Sequence, residues 1–283
     1  MEETYIQANG IHLHVMMDGP EDGKPVLLLH GFPEFWYGWR KQIPVLVDAG
    51  FRVIVPDQRG YNLSTKPHGV KSYALKNLTE DMISLIDALG YEKVFLTRHD
   101  WGAVVAWALA IWHPERFYKL AILNVPHPAV MMHFLYHDLE QIKKSWYVFF
   151  FQLPWLPEMG MGRDNLRGAE RILRGSGKLH TFTNQDIVEY KKAWSQTGAL
   201  TATINWYRAV VRHQPKLPKD SRVKIPTLML WGKRDVALSH RMAQPSIDLC
   251  DDGRLIFFEN ATHWVQHDEA DAVNKELIEF FSS

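Results

Sequence analysis

The sequence has almost no cysteine and no excess of charge. Its single cysteine, Cys250, cannot form an internal disulfide, so the chain gives no sign of an oxidising compartment. The 32 lysines and arginines are balanced by 32 aspartates and glutamates. This balance argues against a nucleic-acid partner, which would require a basic surface, and suits a small neutral ligand.

Long apolar runs are also missing. The most apolar tract, residues 145–161, is interrupted by two prolines, a glutamine and a glutamate, and falls short of the roughly 20 apolar residues of a membrane span. The N-terminus "MEETYIQANG" is acidic and polar, unlike a signal peptide. We therefore expect no membrane span and a cytoplasmic location.

Short apolar runs alternate with helix-like segments, which is typical of an α/β protein with a mostly parallel sheet covered on both faces. After a hairpin candidate around 9–15, the strand-like runs are 25–30, 51–56, 93–96, 118–125, 225–232 and 254–259. The helix-like segments are near 36–49, 75–90, 104–112, 239–249 and 268–281. On the hairpin, His12 and His14 alternate and share a face, and we expect a solvent-facing pair rather than metal ligands.

The alternation stops between 128 and 215, where the sequence is helical, rich in aromatics and without a convincing strand. This predicts a core domain made of 1–127 and 216–283, and a helical cap of 128–215 inserted after the sixth strand. A cap in this place would cover a site at the carboxyl ends of the strands.

An acidic residue stands where a strand runs directly into a helix, in "TRHDWGA" (97–103). A sharp turn of this kind lifts one side chain out of the sheet and is called a nucleophile elbow, usually Gly-x-nucleophile-x-Gly. Asp100 occupies the nucleophile position. Taken alone, an aspartate before a helix is most often an N-cap, so the reactive role depends on what accompanies it.

Two later residues complete the order nucleophile, acid, histidine. Asp235 follows one strand-like run and His263 follows the next, while "HGFPEFWYGWR" (30–40) follows the strand that would supply an oxyanion-hole N–H. Asp235 could instead be a turn residue. The other common place for the acid, after the strand ending near 124, holds Asn124, which cannot act as a carboxylate.

Several motifs occur together in order along nearly the whole chain. They are "HGFPEFWYGWR" (30–40), "DQRGYNLS" (57–64), "HDWG" (99–102), "NVPHP" (124–128), "YVFFFQLP" (147–154), "GALTATINWYR" (198–208) and "ATHWVQH" (261–267). With these motifs the chain resembles the soluble, bacterial-type epoxide hydrolases of the α/β-hydrolase fold. The resemblance implies opening of an epoxide by water to a vicinal diol, without a metal or an organic cofactor.

An aspartate at the elbow is ionised at neutral pH and can attack a saturated carbon directly, forming an ester with the enzyme. The resemblance implies that His263, oriented by Asp235, then activates the water that hydrolyses this ester. It further implies an oxyanion hole of the Phe32 and Trp101 backbone N–H groups. Two cap tyrosines, Tyr147 and Tyr207, match the ring-opening donors. The partners implied are water and a small apolar epoxide, with aromatic pocket walls proposed at Trp36, Phe134, Phe149 and Trp155.

Two other functions stay open. A haloalkane dehalogenase would share Asp100 and Trp101, but commonly carries a tryptophan or asparagine where this chain has Phe32. A noncatalytic ligand-binding relative would have a disabled elbow. The oligomeric state is not determined by the sequence, and a homodimer is allowed.

The elbow departs from the family pattern, because Arg98 stands where relatives have glycine and Ala103 where they often have a second one. The arginine would have to find space and a polar partner, and overpacking typically costs about 1–3 kcal/mol. We expect the fold to tolerate Arg98; a role in stabilising the ionised Asp100 is the less favoured alternative.

Overall fold

The computed structural model describes residues 1–214 and 218–283, and its strands form one eight-stranded sheet in the order β1-β2-β4-β3-β5-β6-β7-β8. The strands are β1 (Glu2–Ala8), β2 (Ile11–Asp18), β3 (Lys24–Leu29), β4 (Phe51–Pro56), β5 (Val94–His99), β6 (Phe117–Leu123), β7 (Thr227–Gly232) and β8 (Gly253–Phe258). The pairs β1–β2 and β2–β4 are antiparallel and the other pairs are parallel. The predicted α/β architecture is confirmed.

The N-terminal hairpin turns at Asn9 and Gly10, which both have positive φ, the conformation that a tight two-residue hairpin turn requires. The expectation for the histidines of β2 was half wrong. His12 is exposed, but His14 is buried, with its Nδ1 2.6 Å from a carboxylate oxygen of the equally buried Asp57. A buried carboxylate provides the polar partner that burial of an imidazole requires.

Helices cover both faces of the sheet. Those of the core are α1 (Ile43–Asp48), α2 (Leu75–Ala88), α3 (Trp101–Trp112), α10 (Ala243–Ile247), α11 (Val265–Asp268) and α12 (Ala270–Ser282). Strands β4, β5 and β7 are buried along their whole length, as expected for strands packed on two sides. The helix predicted over 36–49 is a 3₁₀ turn, Trp36–Trp39, followed by the short α1.

The helices described between β6 and β7 form the cap. They are α4 (Pro128–His137), α5 (Leu139–Lys144), α6 (Trp146–Phe150), α7 (Leu156–Gly175), α8 (Asn184–Trp194) and α9 (Ala199–Arg212). The backbone of α7 is interrupted by non-helical residues from Arg163 to Leu166. The insertion after the sixth strand is therefore confirmed. The predicted boundary at 215 and 216 lies outside the described residues and stays a prediction.

Indole and charged side chains join the cap to the core. Trp194 donates its side-chain N–H to the Pro33 carbonyl at 2.6 Å, and Trp206 donates to the Arg59 carbonyl at 3.0 Å. Arg40 of the core pairs with Asp186 of α8 at 3.0 Å. Among the described residues, no helix combines the length and apolar composition that crossing a membrane would take.

Candidate active site

The chain turns from β5 into α3 at Asp100, whose φ of 50° and ψ of −124° lie outside the usual regions for a non-glycine residue. Glycines make room for this turn. A β-carbon on Gly31 would collide with the Asp100 side chain, and one on Gly102 would collide with the Leu29 carbonyl. The Asp100 side chain makes no N-cap hydrogen bond to α3. The bend thus presents the carboxylate at the carboxyl edge of the sheet rather than capping the helix.

The structure brings the three residues of the proposed triad together. His263 Nε2 lies 3.5 Å from Asp100 Oδ2, and His263 Nδ1 lies 2.7 Å from Asp235 Oδ2. All three side chains follow strands that are close in the sheet, because β5, β6, β7 and β8 are consecutive neighbours. The imidazole is therefore held between two carboxylates, one of them free to react.

Asp235 is fixed by bonds from its own loop and from the neighbouring strand end. Its Oδ1 accepts the backbone N–H groups of Ala237 and Leu238 at 2.7 and 2.9 Å, and its Oδ2 accepts the Asn124 side-chain amide at 2.9 Å. Asn124 also accepts the Gly232 N–H at 2.8 Å. The sequence did not assign a role to Asn124 beyond showing that it is no carboxylate. Its position directly after β6, at the carboxyl edge of the sheet, could have indicated a place next to the triad.

The charges of the triad shift its pKa values in opposite directions. Burial alone would lower the pKa of His263, but Asp235 and Asp100 outweigh burial and raise it to about 10. Burial alone would raise the pKa of Asp235, and the charge and hydrogen bond of His263 outweigh it and lower that pKa below its ordinary value. In the resting state His263 is therefore protonated at neutral pH.

Both cap tyrosines lie close to Asp100. Tyr147 on α6 and Tyr207 on α9 make an edge-to-face contact with ring centroids 5.9 Å apart, and Tyr207 packs edge-on against Trp101 at 4.8 Å. Burial first, and then the charge of Asp100, raises the pKa of each phenol. The phenols consequently keep their protons and can act as hydrogen-bond donors.

One of the two backbone N–H groups predicted for the oxyanion hole donates a hydrogen bond to Asp100. The Phe32 N–H donates to Asp100 Oδ1 at 2.5 Å, so Oδ1 is engaged while Oδ2 faces His263. No hydrogen bond joins the Trp101 N–H to Asp100 in the described part of the chain, and that half stays a prediction.

The four proposed wall residues are not brought together. Trp36 and Phe134 are partly buried and pack against the main apolar cluster. Phe149 and Trp155 are 65% and 66% exposed, on the outer side of the cap. Because their side chains face solvent, the structure gives no support to Phe149 and Trp155 as pocket walls.

Among the described residues Arg98 has no hydrogen-bond partner, contrary to the expectation that it would find a polar one. It is fully buried on the central strand β5, between Leu29 of β3 and Ile122 of β6, and none of its three guanidinium nitrogens is hydrogen-bonded within 1–214 and 218–283. Burial strongly lowers its pKa, and no carboxylate opposes this effect. The alternative that Arg98 stabilises the charge of Asp100 receives no support.

A second buried polar cluster lies behind His263 and was not predicted. The carboxylate of Glu34 contacts His267 Nε2 at 2.7 Å and accepts the Tyr190 hydroxyl, while His99 donates from Nε2 to the His263 carbonyl at 2.8 Å. Burial would raise the pKa of Glu34, but His267 and His99 lower it well below its ordinary value. Nothing in the spacing of these residues signals the cluster. In the part of the chain that is described, no three His, Cys, Asp or Glu side chains are grouped as metal ligands would be.

Residues 24–270 match the family model described as the alpha/beta hydrolase fold. The chain belongs to this family. It is 44% identical to the AB hydrolase superfamily protein YfhM of Bacillus subtilis, over 99% of this chain and 97% of that protein. It is 38% identical to epoxide hydrolase 4 of Homo sapiens, over 97% of this chain and 77% of that protein.

Solved structures are also similar to this chain over almost its whole length. A variant of an epoxide hydrolase from Bacillus megaterium, crystallised with its naphthyloxy-propane-1,2-diol product, superposes with a TM-score of 0.91 at 31% identity. The match covers 99% of this chain and all of the other. This α/β-hydrolase is thus closely related to epoxide hydrolases of bacteria and animals.

Proposed function

We propose that this α/β-hydrolase is an epoxide hydrolase, which opens an apolar epoxide to a vicinal diol through an ester on Asp100. The observation that carries the proposal is the placement of the Asp100 carboxylate. One of its oxygens accepts the Phe32 N–H, the other faces His263, and the Tyr147 and Tyr207 phenols lie nearby. Its relatives with this activity add support.

In the first step, Asp100 Oδ2 attacks a ring carbon and the carbon–oxygen bond of the epoxide breaks. The leaving oxygen develops negative charge and accepts a hydrogen bond and then a proton from Tyr147 or Tyr207. Their raised pKa values keep both phenols protonated until this moment. A positioned acid of this kind contributes about 10²–10⁴-fold in rate.

In the second step, water attacks the ester carbon of Asp100. Formation of the ester has discharged Asp100, which removes one of the two negative charges that hold the proton on His263. The histidine can then pass that proton, through water, to the phenolate that the first step left. As the neutral base it accepts a proton from the attacking water, with Asp235 stabilising the imidazolium. The oxyanion forms on Oδ1, where the Phe32 N–H already donates. Collapse of this intermediate breaks its bond to the substrate oxygen, which leaves with a proton from His263 and completes the diol. The carboxyl group of Asp100, now carrying the oxygen of the water, returns its own proton to His263.

The elbow geometry weighs against a purely ligand-binding role. Although Arg98 replaces glycine, Asp100 still faces both His263 and the Phe32 N–H. The two phenols near Asp100 suit departure of an oxygen.

The decisive experiment is a single turnover of an aromatic epoxide in isotopically labelled water. The first diol should be unlabelled, because its new oxygen comes from Asp100, and the label should appear in the peptide that contains this aspartate. The His263→Gln variant should accumulate a protein adduct heavier by one substrate mass.

Adding Asp100→Asn to His263→Gln provides the matched control and should abolish the adduct. Label in the diol of the first turnover would replace the covalent route with direct attack by water. Release of halide from an alkyl bromide without any epoxide turnover would identify a dehalogenase instead.

A further inference from the structure

The buried side chain of Gln141 on α5 connects the cap to the loop that carries Asp235. Its amide nitrogen donates to the Ala237 carbonyl at 3.0 Å, and its oxygen accepts the Ser239 N–H at 2.9 Å. The same nitrogen donates to the hydroxyl of Ser145, also buried, at 2.9 Å. Ser145 immediately precedes α6, the helix of Tyr147. Gln141 thus reaches from the acid loop to the start of that helix.

Lys144 strengthens this connection. Its ammonium donates to the Asp235 backbone carbonyl at 3.0 Å. On the outside, Arg241 forms an ion pair with Asp138, the N-cap of α5. All of these contacts join α5 to the segment from Asp235 to Arg241, and we call them the α5 joint.

The other end of α6 is fixed separately. Arg208 on α9 donates to the Phe151 carbonyl at 3.0 Å, and the Gln152 amide donates to the Tyr207 carbonyl at 3.0 Å. The five-residue α6 is therefore attached to the Asp235 loop at its start and to the Tyr207 helix at its end. A helix this short depends on such attachments, since isolated helices of fewer than about 12 residues are marginal.

Loss of the joint would affect its two sides unequally. Asp235 keeps its bonds to Asn124, Leu238 and His263, none of which involves Gln141. In the described part of the chain Ser145 makes no side-chain cap to α6, so the start of the helix of Tyr147 depends more on the joint than Asp235 does. A broken joint should therefore displace the phenol and leave the acid in place.

We propose that Gln141 is a positioning residue for the Tyr147 phenol, holding it over Asp100 for ring opening. The inference rests on the proposed epoxide hydrolase function and assigns Gln141 to its first step alone. Gln141 itself touches neither the substrate nor the reacting atoms.

The test compares Gln141→Met, which keeps the side-chain length and removes the hydrogen bonds, in the parent and in a Tyr147→Phe background. Rapid quench gives the rates at which the Asp100 adduct forms and decays. In the parent background, formation should slow by up to about tenfold, which is what loss of the Tyr147 hydroxyl itself should cost, and decay should stay within about twofold. In the Tyr147→Phe background the same substitution should change formation by less than about twofold.

Gln42→Met serves as the matched control, since Gln42 is equally buried and donates to the Gln266 carbonyl away from the joint. It should leave adduct formation unchanged. If Gln141→Met does not fold, Lys144→Met removes one bond of the same joint and should show the same pattern with a smaller loss.

Equal losses in the two backgrounds would overturn the inference, because they would show a general structural role. A loss confined to adduct decay would also overturn it, since Gln141 would then act through Asp235. Absence of any adduct on Asp100 in the parent would defeat the proposed function and this inference together.

Discussion

Replacing Arg98 separates two explanations for an arginine at the elbow. If Arg98 destabilises the protein because its side chain is too large for the space, Arg98→Gly should stabilise the protein more than Arg98→Met does. If Arg98 destabilises the protein because its buried charge is unpaired, Arg98→Met should stabilise it more, because this substitution removes the guanidinium and still fills the space. The structure favours the second explanation, since all three guanidinium nitrogens are buried and none is hydrogen-bonded to any residue that the structure describes.

The expected gain follows from that burial. A buried polar group without a partner costs about 1–3 kcal/mol, and more when it is charged. Exchanging even paired buried ions for apolar residues can stabilise a protein by about 1–4 kcal/mol. We therefore expect Arg98→Met to raise the free energy of unfolding by about 3 kcal/mol. At about 2–4 °C per kcal/mol for a protein approaching this size, Tm should rise by about 6–12 °C.

Arg98→Gly should gain less, because it leaves an unfilled space in the centre of the sheet and adds about 0.5–1 kcal/mol of backbone entropy cost. Equilibrium unfolding in urea measures both variants against the parent. Arg208→Met is the matched control, because its buried guanidinium pairs with Glu158 and donates to two carbonyls. It should destabilise by about 3–5 kcal/mol. A loss of stability in Arg98→Met would refute the reasoning, since it would reveal a favourable interaction of Arg98.

The remaining predictions concern the triad and the phenols. Tyr147→Phe or Tyr207→Phe should each slow adduct formation about tenfold and the pair about a thousandfold, measured by rapid quench. Asn124→Leu should slow adduct decay and spare formation, because it removes the amide that lowers the pKa of Asp235. The raised pKa of His263 contributes stability that is complete below about 6.5 and is lost as the pH rises through about 10. Over this pH range the free energy of unfolding, measured in urea, should fall less in Asp100→Asn than in the parent, because the substitution removes one of the two negative charges that raise the pKa of His263. An equal fall in the two proteins would contradict the assignment.

The sequence was sufficient for the parts of the structure that depend on local pattern. Strands buried on both sides read as unbroken apolar runs, so β4 and β7 were found almost residue by residue. The order of Asp100, Asp235 and His263 predicted a triad, and the structure places the three side chains together, because each follows a strand whose carboxyl end lies at one edge of the sheet. Periodicity and chain order carry this information without any knowledge of contacts.

What the sequence could not predict depends on contacts between distant segments. In α6 almost every side chain is apolar or aromatic, so nothing in the pattern shows that Phe149 faces solvent while Tyr147 approaches the site. The joint of Gln141 pairs positions about a hundred residues apart, through an amide that leaves no sequence signature. The missing partner of Arg98 is likewise a property of the packed neighbours on β3 and β6.

In the proposed mechanism, the arrangement of charges explains how one histidine can serve both steps. Before attack, His263 lies between two carboxylates and holds its proton, which keeps the ionised Asp100 reactive and prevents the histidine from activating water. Formation of the ester removes the charge of Asp100 and leaves Asp235 alone to oppose burial, so the pKa of His263 must fall. The base therefore becomes available only after the substrate has been captured. In the proposed mechanism, water activation is therefore timed by the chemistry of Asp100 itself.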